Sequence, residues 1–164
     1  MQTRGMVFIH SASAALRPHI EWAVGAALGS RVSLAWTDQP AEPGTQRAEL
    51  SWTGNVGVGA ALSSALAKLG VVRFEVTEEP TQSSDGQRYA FTPHLGAFTA
   101  MTGVHGDIVV PEDRLKHAVA IDALGGEPIF KALERLLGVP WDDELDVFRH
   151  ASEDAPVRWL HHVV

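Results

Sequence analysis

Three of the eight histidines and one glutamate are candidates for moving protons or binding a metal. His10 ends the first predicted strand, His19 and Glu21 begin the first predicted helix, and His105 lies in a later loop. If these side chains met at one end of a sheet, they would form a small acid–base or metal site. However, His19 and Glu21 are two residues apart on a helix and so lie on different faces. We keep the four as catalytic candidates and expect no metal.

A second set of charged residues alternates with apolar residues along two predicted strands. Arg47 and Glu49 lie on one of these strands, and Arg73 and Glu75 lie on the other. Because alternate residues of a strand face the same side, these four side chains share one face of the sheet. Arginines on neighbouring strands can clamp a small anion or carboxylate. The structural alternative is a set of cross-strand ion pairs, or a polar layer covered by the second half of the chain.

The segment 54–59 is rich in glycine and leads from a predicted strand into a predicted helix. The backbone amides of Gly54, Gly57 and Gly59 precede a helix N-terminus, where such groups can approach a phosphate. The segment is therefore a candidate site for coenzyme A or a nucleotide. Its spacing matches neither the Walker A motif nor the dinucleotide-binding motif, and a tight turn requires glycine for its own conformation.

The composition excludes several classes of function. The chain of 164 residues carries a net charge of −7 and contains no cysteine. An acidic chain with few lysines lacks the clustered positive charge that binds a phosphate backbone, so we expect no nucleic-acid partner. The lack of cysteine removes disulfides, thiolate nucleophiles and cysteine-based zinc sites. No apolar run approaches the roughly 20 residues that span a bilayer. We therefore expect a cytoplasmic protein with no membrane partner. We also expect no cofactor.

The elements that position these residues can be predicted from periodicity. Apolar residues at every second position predict four strands, and apolar residues at helical spacing predict two helices, each followed by a glycine. The predicted strands include residues 7–9, 31–36, 47–52 and 73–77, and the helices include residues 18–28 and 60–69. The order strand, helix, strand, strand, helix, strand predicts a ferredoxin-like antiparallel sheet with both helices on one face.

The second half of the chain is predicted to extend this sheet and to add helices. A loop is predicted at residues 82–86, a hairpin at residues 88–101 and a strand at residues 107–110. Three helices are predicted at residues 111–125, 128–138 and 142–148. Residues 157–164 fit either a strand or a frayed end. We expect a single α+β domain over residues 1–164, with the ferredoxin-like core in residues 1–80 and a hairpin and helical extension in residues 81–164.

Five segments of the chain carry specific motifs. They are VFIHSA from residue 7, RPHIEWA from residue 17, AELSW from residue 48, RFEVTEEP from residue 73 and TGVHGD from residue 102. These segments resemble an uncharacterised family of actinobacterial proteins, catalogued as domain of unknown function three-one-four-five. The similarity extends from about Thr3 to the helix after Pro111. The resemblance implies an actinobacterial, cytoplasmic, single-domain protein. It implies no reaction, cofactor or catalytic residue.

From these features we expect a small-ligand or protein-binding module with a regulatory or interaction role. Sheets of this kind commonly expose one face or an edge strand, which invites pairing with another chain, and a homodimer is one such arrangement. The partner itself is not identified by the sequence. Two alternatives stay open: a small enzyme with a His/Glu site at the end of the first strand, and a coenzyme A or nucleotide-phosphate binder at residues 54–59.

Overall fold

The computed structural model describes residues 1–151, and the predicted tail over residues 157–164 lies outside them. The described chain is a mixed α+β fold with one seven-stranded antiparallel sheet and five α-helices. The strands are β1 (Gln2–Ser13), β2 (Thr37–Asp38), β3 (Thr45–Asn55), β4 (Arg73–Glu78), β5 (Gly86–Thr92), β6 (Gly96–Thr102) and β7 (Ile108–Val109). The helices are α1 (Arg17–Leu28), α2 (Val58–Ala67), α3 (Glu112–Ala123), α4 (Ile129–Leu137) and α5 (Val139–His150).

The strands lie in the order β2-β3-β1-β4-β5-β6-β7, and every neighbouring pair is antiparallel. Helices α1 and α2 pack on one side of this sheet, which we call the α1/α2 face. The alternating apolar residues of the strands point to that side and form the main core with the helices. Its fully buried members include Val7, Ile9, Phe74, Val76, Ile20 and Leu66.

The prediction of the second strand is wrong. Residues 31–36 form no strand, and β2 contains only Thr37 and Asp38. The backbone N–H of Leu34 and the indole N–H of Trp36 both donate to Oε1 of Glu21, at 2.9 and 3.0 Å. Because α1 supplies this acceptor, the segment buries Leu34 in the core without pairing with β3. Its alternating pattern therefore reports burial and not strand pairing.

Helix α5 packs on the opposite side of the sheet, which we call the α5 face. A smaller apolar cluster joins Trp141 and Leu145 of this helix to Ala90 and Phe98 of β5 and β6. The rings of Phe98 and Trp141 are 5.0 Å apart, and the indole N–H of Trp141 donates to a β6 carbonyl at 3.0 Å. Part of the charged sheet face is thus covered by the second half of the chain.

Helices α3 and α4 pack mainly on each other. Ala118 is the buried residue of α3, and Ala132 is the buried residue of α4. Among the described residues, no helix is both long and apolar enough to cross a bilayer.

Candidate functional site

A β-bulge near the end of β1 sets the geometry of the site. The register of β1 shifts after Ile9 against both of its neighbours, β3 and β4. A bulge adds one residue to a strand and so interrupts the alternation of its side chains. Ile9 and Ala12 lie in the main core, whereas the adjacent His10 and Ser11 both bond to residues on the α5 face. The bulge therefore aims two consecutive polar side chains at the same face.

A buried carboxylate lies at the centre of the α5 face. Glu75 of β4 is 8% exposed. His10 Nε2 and Arg149 Nε each lie 2.8 Å from its Oε2, and Arg88 Nη2 lies 3.0 Å from its Oε1. Both arginines also donate to Oδ1 of Asp142, at 2.5 Å from Arg88 and 2.8 Å from Arg149. We call these five residues the Glu75 cluster.

The cluster keeps its charges despite its burial. Burial alone raises the pKa of Glu75, because it removes water from the carboxylate. Hydrogen bonds from His10 and Arg149, together with the positive charge of Arg149, outweigh that effect and hold the pKa of Glu75 well below its usual value. Burial likewise lowers the pKa of Arg149, but hydrogen bonds and charge from Glu75 and Asp142 outweigh it and raise that pKa. Both side chains are therefore ionised near neutral pH.

The ionised carboxylate also determines which nitrogen of His10 carries hydrogen. An ionised carboxylate only accepts, so Nε2 of His10 is the donor in its bond to Glu75. The backbone carbonyl of His10 accepts a hydrogen bond from the buried Gln39 at 2.7 Å. The ring of Phe8 lies parallel to the imidazole, with 6.1 Å between centroids. These contacts fix the ring, and among the described residues its Nδ1 has no hydrogen-bond partner.

Arg73, a predicted ligand residue, belongs to a separate structural network. Its Nη1 donates to Ser11 at 3.2 Å and to Glu42 at 3.1 Å, and its Nε donates to Glu144 of α5 at 3.1 Å. Its guanidinium also lies 4.7 Å from the ring centroid of Phe148. These contacts fasten α5 to the sheet, and they occupy Arg73 within the protein.

A cleft of about 530 Å³ lies beside the Glu75 cluster, over β1 and β3, and we call it the β1–β3 cleft. It is lined by the side chains of Phe8, His10, Arg47, Glu49, Glu75 and Arg149. Arg47 donates to the carbonyl of Ala151, just after α5. The structure therefore brings together three of the four charged residues predicted on the strands, and it adds His10 from the catalytic candidates.

The glycine-rich segment is already occupied by a carboxylate of the protein itself. The amides of Gly57 and Gly59, at the start of α2, donate to the two oxygens of Glu78 at 2.8 and 2.7 Å. Glu78 is 3% exposed. Gly57 has a φ of 96°, which favours glycine, and a Cβ on Gly54 would lie 3.1 Å from a methyl group of Val58. Glu78 thus takes the position that a phosphate would need at these two amides, which argues against a phosphate site here.

The other catalytic candidates do not join His10. Glu21 is bonded by the two N–H groups of the segment 31–36, and these bonds, the backbone one first, lower its pKa. His19 is exposed in the first turn of α1. His105 follows β6 at the end of the sheet where β1 begins, whereas His10 lies near the end of β1. Among the described residues, no group of three or more His, Asp or Glu is placed to hold a metal ion.

Sequence reasoning misses three members of the Glu75 cluster. Asp142 and Arg149 are seven residues apart, so they lie on the same side of α5, next to its buried Leu145. Charges that border the apolar stripe of a helix indicate a polar partner on the opposing surface. Arg88 occupies a polar position in the alternation of β5. The sequence contains these signals, but it does not reveal that α5 packs over β4.

A family model described as "Protein of unknown function (DUF3145)" matches residues 6–162 of the chain. This match confirms the resemblance seen in the five sequence segments. No curated protein and no solved structure matches the chain.

Proposed function

Because the chain belongs to the DUF3145 family of proteins of unknown function, we propose from the site alone that it is a binding module that holds a small molecule in the β1–β3 cleft. The observation that carries this proposal is the unused bonding capacity of three lining side chains. Arg47 has five N–H groups and uses one bond, to Ala151, among the described residues. Neither Glu49 nor Nδ1 of His10 has a hydrogen-bond partner there.

The neighbouring Glu75 cluster supports the proposal because it makes one wall of the cleft rigid. Immobilising a flexible side chain on binding costs about 0.5–1.5 kcal/mol. His10 and Arg149 are already fixed by Glu75, so a ligand that touches them meets little of this cost. Sites held by a supporting shell of hydrogen bonds are the ones that bind with defined geometry.

The size and composition of the cleft also agree with a small ligand. Its volume of about 530 Å³ lies within the range of about 300–1,000 Å³ that is common for small-molecule sites. Phe8 supplies an aromatic surface, and the charged side chains supply orientation. Apolar residues that supply contact area and polar side chains that orient the ligand are both found in small-molecule sites, although this cleft is richer in charged side chains than most.

We favour binding over catalysis because the groups around His10 are committed to other contacts. The carboxylate partner of His10 is neutralised by two arginines, which weakens its ability to make the imidazole a stronger base. The nearest hydroxyl along the chain, on Ser11, accepts a hydrogen bond from Arg73. A serine held in this way is poorly placed to act as a nucleophile for His10.

The experiment is an NMR titration of the isotope-labelled chain with a panel of small carboxylates, amines, zwitterions and neutral amides. We expect at least one probe to shift the backbone amide signals of Phe8, Thr37 and Glu49, which surround the cleft. Arg47→Gln should weaken this response. Arg31→Gln is the matched control, since Arg31 is exposed and lies outside the cleft. A panel that moves none of these signals, or an equal loss in both variants, would overturn the proposal.

We also propose that β1 to β4, with α1 and α2, form a ferredoxin-like unit. The strand order β2-β3-β1-β4, with antiparallel neighbours, supports this interpretation. Nuclear Overhauser contacts from Val7 to both Leu50 and Val76 are expected, because β1 then lies between β3 and β4. Contacts to one neighbour alone would contradict it.

A second candidate function is self-association through the outer surface of α3 and α4, and we propose a second copy of the chain as the partner. Large apolar side chains are exposed along this hairpin: Leu115, Val119, Leu124, Phe130 and Leu137. Together they expose on the order of 400 Å² of apolar surface. That area approaches the apolar share of the roughly 800 Å² that each partner buries in a standard interface.

The charge distribution favours a second copy over a charged partner. Residues 112–137 contain five acidic and four basic side chains, a net charge of −1, in a chain whose net charge is −7. Two copies therefore repel each other little along this hairpin. Its surface carries both signs, as in the pairs Lys116–Glu112 and Arg135–Glu127, so a two-fold axis can place opposite charges together.

Sedimentation equilibrium tests the self-association directly. We expect a dimer at micromolar concentration, and Phe130→Glu should weaken it at least about tenfold, because it places a charge in the apolar contact. Trp22→Glu is the matched control, since Trp22 is equally apolar and 77% exposed on α1. A strict monomer across the micromolar range, or equal weakening by both variants, would reject this interface.

A further inference from the structure

We propose that the ligand of the β1–β3 cleft is a small zwitterion, an amino-acid-like molecule that carries one ammonium and one carboxylate group. This inference rests on the proposed ligand-binding function and specifies its chemistry. It follows from the charges that line the cleft, from their spacing on β3 and from the position of Phe8 between two carboxylates.

Apart from His10, the charged residues of the Glu75 cluster sum to a net charge of zero. Glu75 and Asp142 balance Arg88 and Arg149, and every one of these charges is paired within 3.0 Å. A ligand charge placed against this wall meets ion pairs that are already satisfied. The wall therefore supplies shape and hydrogen bonds, and it does not select a ligand by charge.

The remaining ionisable side chains of the lining, His10 aside, are one cation and one anion. Arg47 and Glu49 are two residues apart on β3 and share a face, so their Cα atoms are about 6.5 Å apart. The two side chains form no ion pair with each other among the described residues. A carboxylate bound by Arg47 and an ammonium bound by Glu49 would satisfy both at once.

Phe8 places an apolar surface beside these two charges. In the strand register, Phe8 lies directly opposite Glu49 on one side and Glu75 on the other. Its ring is stacked parallel to that of His10, and both rings line the cleft. An apolar side group of the ligand fits against the Phe8 ring, and in the neutral form of His10, whose Nε2 donates to Glu75, Nδ1 can accept a second hydrogen bond from the ammonium group.

Ligands with a single charge leave one of these two groups without a partner. A simple carboxylate would bring its negative charge close to Glu49, and a simple amine would bring its positive charge close to Arg47. A like charge nearby acts against binding. The cleft therefore discriminates by requiring both charged groups on the same small molecule.

The experiment titrates the full chain with each of the standard protein amino acids at millimolar concentration and follows the amide signals of Phe8, Thr37 and Glu49. The amino acid with the largest response is then compared with its two single-charge analogues, one without the amino group and one without the carboxyl group. We expect both analogues to bind at least about tenfold more weakly, as for the loss of one charged hydrogen bond.

Glu49→Gln tests whether Glu49 contacts the ammonium group, because a purely structural role of Glu49 would not change the relative affinities of the amino acid and its analogues. This variant should weaken the amino acid and strengthen the analogue without the amino group, which reverses the order of the two affinities. Analogues that bind as tightly as the amino acid, or an unchanged order of affinities in Glu49→Gln, would overturn the zwitterion proposal and leave the ligand-binding function in place.

The wider panel separates the two proposals. If no amino acid shifts the amide signals around the cleft while another probe of the panel does, the zwitterion class is rejected. If no probe of any class shifts it, the binding function itself is rejected.

Discussion

The two faces of the sheet each bury a carboxylate from β4, and they neutralise it in different ways. On the α1/α2 face, Glu78 accepts hydrogen bonds from two backbone amides at the start of α2. On the α5 face, Glu75 accepts hydrogen bonds from side chains of β1, β5 and α5. Backbone amides close around their anion and leave no room for a ligand. Side chains from separate elements surround theirs less completely, and a cleft lies beside them.

This difference assigns separate roles to the two faces. The α1/α2 face holds the main apolar core, with Glu78 as an internal cap for a helix. The α5 face has a smaller apolar cluster and a set of ion pairs whose geometry depends on several elements at once. Buried ion pairs contribute little net stability, but removing one partner is costly. The predictions below test whether the carboxylates differ as this comparison requires.

The largest effect is expected for Glu75→Gln. The substitution removes a buried negative charge and leaves Arg88 and Arg149 with Asp142 as the one anion that they share in the cluster, so one cation is in excess. Breaking a buried ion pair in this way costs about 3–5 kcal/mol, and we expect a loss of that size in the free energy of unfolding, measured by urea denaturation. Adding Arg149→Met should recover part of the loss, because it removes one unpaired cation. A loss below about 1 kcal/mol would indicate that water reaches the cluster.

Much of the fold can be predicted from periodicity, because burial leaves a direct trace in the sequence. The alternation in β3 and β4 and the helical spacing in α2 match the residues that form the main core. The failure at residues 31–36 has a specific physical cause. An apolar alternation reports which side chains are buried, but Glu21 decides where the amide of Leu34 donates its hydrogen bond. The sequence of residues 31–36 does not show whether the Leu34 amide donates to a side chain such as Glu21 or to a carbonyl of a neighbouring strand.

The site can be predicted only in part, for a related reason. Arg47, Glu49 and Glu75 share a face because strands alternate, and that much follows from the sequence. The aim of His10 depends on a bulge, which shifts the register by a single residue and leaves no clear pattern. Arg149 reaches Glu75 only because α5 packs across the sheet. Contacts between distant elements depend on tertiary packing, which periodicity does not describe.

A second effect, of intermediate size, is a dependence of stability on pH that originates in Glu75. Its pKa in the folded protein lies below the ordinary value near 4.3, so its stabilising contribution is fully present above about pH 5 and is lost as the pH falls. The difference in unfolding free energy between the wild-type chain and Glu75→Gln should shrink by roughly 2 kcal/mol between about pH 6 and pH 3. A constant difference over this range would mean that the pKa of Glu75 is not lowered by folding.

A smaller effect is expected for Glu78→Gln on the other face. The glutamine oxygen can still accept one of the two backbone amides, so one buried donor loses its partner and no cation is left unpaired. We expect a loss of about 1 kcal/mol in urea denaturation. The amide signals of Gly57 and Gly59 should shift, and those around the β1–β3 cleft should not. A loss equal to that of Glu75→Gln would remove the distinction between backbone and side-chain neutralisation.

The smallest effect is expected for Glu79→Gln, the next residue after β4. Its carboxylate pairs with Arg4 at 2.7 Å. In the Glu75 cluster, only the contacts from Arg88 to Asp142 and from Arg149 to Glu75, both at 2.5 Å, are shorter. The side chains of Arg4 and Glu79 are 74% and 50% exposed, however, so water screens both charges whether or not they meet. We expect a free energy of unfolding that is unchanged within the error of urea denaturation. If Glu79→Gln cost as much as Glu78→Gln, burial would not be the property that separates these carboxylates, and the rigidity assigned to the buried Glu75 cluster as a wall of the β1–β3 cleft would lose its physical basis.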